Sequence, residues 1–130
     1  MSIWKTRTSK HLKPWGTVEL ITTPFGMEGK IIRMRSGERN SLKYYPKKNQ
    51  SIYCLSGKVL LEAPSENEFG DVSVPGKGSL FDLGPGEVAF IEMGNTYRIK
   101  AIKNSVLFEV LLGSRSDGAK KILEDDYGRS

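Results

Sequence analysis

Four side chains that could bind a ligand or transfer a proton stand in two stretches in which glycines recur at fixed spacing. The stretches are 37–57 and 86–101, and the four residues are Lys43, Tyr45, Gln50 and Tyr97. A lysine enclosed among tyrosines could have a lowered pKa, because desolvation disfavours its charged form. It could then act as a base or form a Schiff base with a carbonyl substrate, and either tyrosine could act as a general acid.

The composition fits a single globular domain. The chain has 130 residues, of which 38% are hydrophobic and 27% charged, enough to bury its own core. No run of about 18 apolar residues occurs, so a membrane span is not expected, and the basic N-terminus lacks the apolar segment of a signal peptide. The expected location is cytoplasmic. Cys54 is the only cysteine and lies in the apolar run 52–55, which predicts a buried, inert thiol.

The net charge of +5 favours an anionic partner. Nucleic acid is not expected, because the sequence has neither a continuous basic stripe with interleaved aromatic residues nor a known nucleic-acid-binding module. A phosphorylated small molecule needs only two or three well-placed cations. It therefore fits the charge.

From Gly16 onward, short runs of β-branched and aromatic residues are separated by turn-forming residues. This pattern predicts an all-β sandwich or barrel. The predicted strands are 17–23, 29–35, 41–45, 51–55, 58–63, 79–83, 87–92, 97–103 and 106–112. A hairpin turn is predicted at Ser56-Gly57 and a second turn at Pro85-Gly86. Alternation in 97–103 predicts Tyr97, Ile99 and Ala101 on the inner face of the barrel and the cations of this run on the outer face.

The predicted domain organisation is a basic N-terminal arm over 1–12, a barrel over 13–113, and a tail over 114–130 that packs on or near the barrel. The arm shows no periodicity and is expected to be loose. The segment 64–78 is rich in turn formers and is expected to be a hairpin tip or an insertion. Within the tail, a short helical turn is predicted over 119–123, with Asp117 as its N-cap.

Three segments support a family resemblance. They are Lys13-Pro14-Trp15-Gly16 with Glu19, the segment 36–42, which runs on to Ser56-Gly57, and the tail 123–129. In this order they resemble the cupin domain of type II mannose-6-phosphate isomerases and GDP-mannose pyrophosphorylases. The two glycine-marked stretches resemble the two motifs of a cupin. The resemblance implies a single-domain cupin, which is a double-stranded β-helix or jelly-roll barrel.

The resemblance also identifies where the sequence departs from the family. In metal-binding cupins the positions of Lys43, Tyr45, Gln50 and Tyr97 carry histidines and a glutamate, and Glu92 replaces a motif proline. A lysine ammonium has no lone pair, glutamine is a weak neutral ligand, and tyrosine is rarely recruited by divalent metals. No metal or other cofactor is therefore expected.

The parity of the family's ligands implies that Lys43, Tyr45 and Tyr97 point into the barrel. Three interpretations stay open. The tyrosines could fill the space of a metal and its waters, with hydroxyl and amide oxygens satisfying the lysine. The residues could bind a ligand without chemistry, or they could catalyse a reaction.

Other candidate ligand-binding residues are Arg33, Arg35, Glu92 and Arg129. The two strand arginines could grip a phosphate if their face lined the barrel, but they are surface charges if it faces outward. Glu92 could cap a strand end, Arg129 could contact an anion, and His11 is expected to be solvated.

Three functions are compatible with the sequence. The first is a non-catalytic binding or regulatory module for a sugar phosphate or nucleotide sugar. The second is a metal-independent sugar isomerase or epimerase that uses Lys43 with Tyr45 or Tyr97. The third is a structural domain that assembles as a homodimer. The loss of the ligands favours binding over catalysis.

Overall fold

A computed structural model describes residues 2–63, 79–113 and 121–124. Within these ranges the chain forms eleven β-strands and no helix, so no helix is present that could cross a membrane. All nine predicted strands occur, with ends displaced by a few residues. The strands are β1 (Ser9–Lys13), β2 (Gly16–Thr22), β3 (Met27–Met34), β4 (Leu42–Tyr44), β5 (Lys48–Ser56), β6 (Val59–Ala63), β7 (Ser79–Leu83), β8 (Val88–Ile91), β9 (Arg98–Ala101), β10 (Ser105–Gly113) and β11 (Lys121–Glu124).

The strands form two antiparallel layers. The larger layer is a six-stranded sheet in the order β1-β2-β3-β10-β5-β8. The other contains the sheets β7-β6-β9 and β11-β4, which isolated bridges at Arg39↔Lys100 and Lys43↔Tyr97 link together. At the second bridge, Lys43 N donates to Tyr97 O at 3.0 Å and Tyr97 N donates to Lys43 O at 2.9 Å. These backbone hydrogen bonds place β4 beside β9.

Side chains that alternate along the strands form the core. In β5, Ile52 and Cys54 are fully buried while Tyr53 between them is 38% exposed, because successive side chains point to opposite faces of a strand. The prediction of a buried thiol is confirmed, and burial, together with the charge of Glu87, raises the pKa of Cys54. Further core residues include Trp15, Ile32, Met34, Val59, Leu61, Leu83, Ala89, Ile91, Tyr97, Ile99, Ala101 and Leu107.

The turns at Ser56-Gly57 and Pro85-Gly86 occur where the sequence predicts them. The expectation of a hairpin at Ser56-Gly57 is wrong, however, since β5 belongs to the six-stranded sheet and β6 to the opposite layer. Gly57 has a φ of 86°, and a Cβ on it would lie 2.4 Å from Asn104 O. The turn is thus a corner between the layers, and the close backbone approach requires glycine there.

Two strands are absent from the sequence-based prediction. Residues 9–12 are not loose as expected, because β1 pairs with β2 through the tight Pro14-Trp15 turn. The side chains of β1 are mostly exposed, so its backbone pairing leaves no hydrophobic periodicity in the sequence. The predicted helical turn is wrong for residues 121–123, which belong to β11, a strand that pairs with β4. The segment 64–78 and the rest of the tail, including Asp117 and Arg129, lie outside the described residues.

Arg98 is the exception to the alternation predicted for 97–103. The prediction places its cation outside the barrel, yet the side chain is fully buried. Its Nε and Nη2 both donate to Asn40 O at 3.2 Å. Asn40 Oδ1 in turn accepts from Ile99 N at 2.8 Å. Arg98 is buried because the segment that leads into β4 runs beside β9 and supplies it with backbone acceptors.

Candidate functional site

The four residues singled out in the sequence meet at one place in the barrel. Lys43 lies on β4, Tyr45 follows it, Gln50 lies on β5, and Tyr97 precedes β9. None of the four is more than 6% exposed. The short backbone connection between β4 and β5, together with the Lys43↔Tyr97 bridge, brings them into the same region of the interior.

Glu109 on β10 also belongs to this group, although the sequence analysis did not identify it as a candidate site residue. Gln50 Nε2 donates to Tyr97 Oη at 2.6 Å and to Glu109 Oε1 at 2.9 Å. Glu109 is only 2% exposed and lies between Leu107 and Leu111 on the inward face of β10. A carboxylate at an apolar parity position of a strand is the sequence signal that could have identified it.

Lys30 on β3 is the second candidate site residue that the sequence analysis did not identify. Its Nζ donates to Tyr45 Oη at 2.9 Å. Burial acts to lower the pKa of Lys30, but the negative charge of Glu109, with contributions from Tyr45 and Glu28, outweighs burial and raises the pKa above its ordinary value. Lys30 is therefore an ammonium ion at neutral pH, and it shares the inward parity of Ile32.

A second lysine is held by the aromatic lining. Lys43 Nζ lies 4.5 Å from the centroid of the Tyr97 ring and donates to Ser41 O at 3.3 Å. A cation over an aromatic face is stabilised by the ring's electron density. The contact that was expected to the Tyr97 hydroxyl is made by Gln50 instead.

Both tyrosines resist ionisation. Burial is the main cause that raises the pKa of Tyr45 and holds the pKa of Tyr97 well above its usual value, and the charge of Glu109 adds to both. The ammonium of Lys30 opposes this effect at Tyr45, and the hydrogen bond from Gln50 opposes it at Tyr97. Both phenols are neutral at physiological pH.

A cavity of about 230 Å³ opens beside this network. Among the described residues that line it, the charged side chains are Lys13, Lys30, Lys43 and Glu109. Three lysines thus face one carboxylate. Among the described lining residues, positive charges therefore outnumber negative ones, which favours an anionic ligand.

The rest of the lining is largely apolar and includes the indole of Trp15. Trp15 is 4% exposed, and its Nε1–H finds no acceptor among the described residues. Buried polar groups nearly always have a hydrogen-bond partner. Trp15 is therefore a donor that could be satisfied by an oxygen atom of a ligand.

The remaining candidates lie away from this cavity or at its rim. Arg33 is exposed on the outward face of β3, with Nη1 3.3 Å from Glu19 Oε1, and Arg35 donates to Pro14 O. Both arginines are therefore surface charges and do not line the barrel interior, where they could have bound a phosphate. Glu92 is exposed after β8, and its carbonyl accepts from Asn95 N at 3.2 Å. His11 is exposed, as expected, although it lines the mouth of the cavity.

Comparison with known proteins relates the fold to solved structures. No protein-family model matches the chain, and no curated protein is similar to it in sequence. Oxalate decarboxylase from Bacillus subtilis superimposes with a TM-score of 0.68 at 16% identity, covering 89% of this chain and 30% of the decarboxylase. The chain therefore spans less than a third of that enzyme.

Two smaller proteins match over most of their length. KdgF from a Halomonas species gives a TM-score of 0.66 at 12% identity, covering 86% of this chain and 92% of KdgF. An uncharacterised Klebsiella pneumoniae protein with a double-stranded β-helix domain gives a TM-score of 0.66 at 9% identity. This match covers 96% of this chain and 86% of the Klebsiella protein. The fold is a cupin fold. This confirms the fold class predicted from the sequence.

The cupin fold implies a metal at the four positions discussed above, but the residues present do not fit one. Lys43 offers donors and no lone pair, and the side chains of Gln50 and Tyr97 are directed at each other. Among the described residues, no group of three histidine, cysteine, aspartate or glutamate side chains is placed to hold an ion. The interior of this cupin barrel instead carries fixed ammonium charges.

Proposed function

We propose that this chain is a cupin-fold binding module that holds a small anionic ligand, of the sugar-phosphate class, in the cavity beside β3, β4 and β10. The observation that carries the proposal is the lining, where Lys13, Lys30 and Lys43 face the single carboxylate of Glu109 among the described residues. Ammonium groups in a partly desolvated site attract a phosphate more strongly than they would in water.

The size and the apolar wall of the cavity narrow the ligand class. A volume of about 230 Å³ lies below the roughly 300–1,000 Å³ of sites for drug-sized molecules, which suits a monosaccharide derivative. Aromatic faces such as that of Trp15 pack well against the C–H faces of a sugar ring. The carboxylate of Glu109 can accept hydrogen bonds from sugar hydroxyls. A ligand with an anionic end and a hydroxylated body matches these groups.

The binding proposal is tested by calorimetric titration of the chain with mannose 6-phosphate, fructose 6-phosphate, mannose and inorganic phosphate. We expect the sugar phosphates to bind at least tenfold more tightly than mannose. Lys43→Met removes one buried ammonium while keeping the length of the side chain, and it should weaken sugar-phosphate binding about tenfold or more, since a charge-assisted hydrogen bond contributes roughly 1.5–3 kcal/mol.

Lys47→Ala is the matched control, because Lys47 is exposed and does not line the cavity. Its affinity should equal that of the wild type. Equal affinity of the Lys43→Met variant and the wild type would contradict the proposal, as would equal binding of mannose and its phosphate.

We propose, as a second function, that the chain assembles as a homodimer through the outer face of its larger sheet. Supporting this, Tyr53, Leu55, Val88 and Phe90 are between 38% and 76% exposed on adjacent strands β5 and β8. A self-associating patch of this kind is typical of a twofold interface. Assembly is compatible with ligand binding, since this face lies on the opposite side of the sheet from the cavity.

A further inference from the structure

The N-terminal arm, which the structure describes from residue 2 to residue 12, exposes large apolar side chains. Residues 2–8 form neither a helix nor a strand, and residues 9–12 belong to β1, an edge strand of the larger sheet. Ile3 is 90% exposed, Trp4 62% and Leu12 88%. Single apolar side chains on a surface are normal, but three of this size in one short segment indicate an interaction surface.

The same segment is densely positive. Lys5, Arg7 and Lys10 lie among its apolar residues, and no aspartate or glutamate occurs in the sequence before Glu19. All three cations are exposed, whereas the carboxylate of Glu19 has the Nη1 atom of Arg33 at 3.3 Å. The arm therefore presents positive charge and apolar area together, and both are accessible from solvent.

The register of β1 separates this surface from the ligand cavity. Lys10 lies opposite Glu19. His11 lies opposite Val18, and both of these residues line the cavity. Directly opposed residues share a face of a sheet, and successive residues of a strand alternate between the two faces. Lys10 and Leu12, which flank His11, consequently point away from the cavity.

We propose that the arm docks the protein on an anionic lipid surface, with Ile3, Trp4 and Leu12 in the interfacial layer and the cations beside the lipid phosphates. Binding of an interfacial segment strengthens with its buried apolar area and with its attraction to anionic lipids. An indole favours this boundary because it has an apolar body and a polar N–H. Lysine and arginine stems lie along the apolar layer while their charged ends reach the headgroups. This inference does not depend on the proposed ligand of the cavity.

A nucleic acid would match only part of this surface. Its phosphates attract lysine and arginine, and its bases stack on aromatic rings such as that of Trp4. The aliphatic side chains of Ile3 and Leu12, however, would stay in water, although they are the most exposed of the three apolar residues. A lipid boundary accommodates the cations, the indole and both aliphatic side chains, which is why it is the partner we favour.

The test is sedimentation of the full chain with vesicles of phosphatidylcholine, with and without phosphatidylglycerol, at low and at high salt. We expect binding that requires phosphatidylglycerol and weakens at high salt, because salt screens exposed charges. A double variant, Lys5→Gln with Arg7→Gln, should bind about 25-fold more weakly, since each cation near an anionic surface contributes about fivefold. Trp4→Ser should also weaken binding, whereas Trp4→Phe keeps an aromatic ring and should bind nearly as the wild type does.

Lys47→Gln with Lys103→Gln is the matched control, because it removes the same charge from exposed positions outside the arm and should bind like the wild type. Equal losses in the two double variants would show that net charge alone drives binding, and this would overturn the role of the arm. Absence of sedimentation with phosphatidylglycerol vesicles would overturn the proposal as well. Retention of the chain on heparin without vesicle binding would assign the arm to another polyanion and so refute a lipid partner.

Discussion

At the scale of single residues, one part of the barrel interior holds a polar network beside the apolar core. Tyr97, Gln50 and Glu109 satisfy one another through hydrogen bonds of 2.6 and 2.9 Å. Such a network is stabilising only when its members are paired, because an unpaired buried polar group costs about 1–3 kcal/mol. The protonation state of each member therefore affects the free energy of unfolding.

Tyr97 makes the stability of the fold sensitive to alkaline pH. Its pKa is well above the usual value when folded, so its contribution is fully present below about pH 10, the pKa of an unfolded tyrosine, and is lost as pH rises toward the folded pKa. Tyr97→Phe removes this contribution. We expect the urea midpoint of the variant to fall less between pH 8 and pH 11 than that of the wild type.

Tyr44→Phe serves as the control for this experiment, because Tyr44 is only partly buried and makes none of the hydrogen bonds that join Tyr97, Gln50 and Glu109. At pH 8 the Tyr97→Phe variant should be less stable by about 0.5–1.5 kcal/mol, the usual net value of a hydrogen bond. Equal falls in the midpoints of Tyr97→Phe and the wild type would show that another group causes the alkaline loss.

At the scale of strands and turns, the corner at Gly57 fixes how β5 passes into the opposite layer. A Cβ at this position would meet Asn104 O at 2.4 Å and Ser105 Cα at 2.7 Å, in addition to the cost of a left-handed conformation. Gly57→Ala should therefore lower the free energy of unfolding by more than the roughly 1–3 kcal/mol of backbone strain alone. Chemical denaturation measures this loss.

Gly37→Ala provides the comparison, since Gly37 has a φ of 85° but open space where a Cβ would lie. The two variants share the conformational cost, so the difference between them measures the clash with the 104–105 segment. Similar losses in the two variants would contradict the proposed importance of the close approach.

The strands also show which parts of the fold can be predicted from sequence. Alternation correctly placed Tyr97, Ile99 and Ala101 in the core, because the side-chain period of two is visible whenever one face is apolar. It missed β1, whose side chains are mostly exposed, and it misplaced Arg98, whose acceptor Asn40 is 58 residues away in the chain.

The candidate site was predicted only in part, for a related reason. The two glycine-marked stretches identified Lys43, Tyr45, Gln50 and Tyr97. Glu109 and Lys30 lie outside both stretches. Alternation with Leu107 and Ile32 predicts that both side chains point inward. The function of a charged residue at such a position can be inferred only when its contacts are known. Those partners lie on other strands, and the pairing of strands that are distant in sequence follows from the tertiary fold.

At the scale of the whole molecule, the two faces of the larger sheet have different properties. The inner face carries the cavity, and the outer face of β5 and β8 exposes Tyr53, Leu55, Val88 and Phe90. Because Phe90 is 76% exposed on an edge strand of that sheet, a charge introduced there should disrupt self-association without disturbing the core.

Phe90→Glu is expected to convert a particle of two chains into one of a single chain, as measured by light scattering after gel filtration. Phe25→Glu is the matched control, since Phe25 is 77% exposed in the turn between β2 and β3, away from the outer face of β5 and β8. A single-chain mass for the wild type would refute assembly through this face.

The bridge between Lys43 and Tyr97 has a consequence for how this barrel can change over time. Its two hydrogen bonds join main-chain atoms, so any residue other than proline can make them at either position. The backbone hydrogen bonds keep β4 paired with the start of β9, while the side chains at these positions determine the chemistry of the barrel interior. We therefore expect substitutions at these two positions to change the chemistry of the barrel interior while the strand order stays the same.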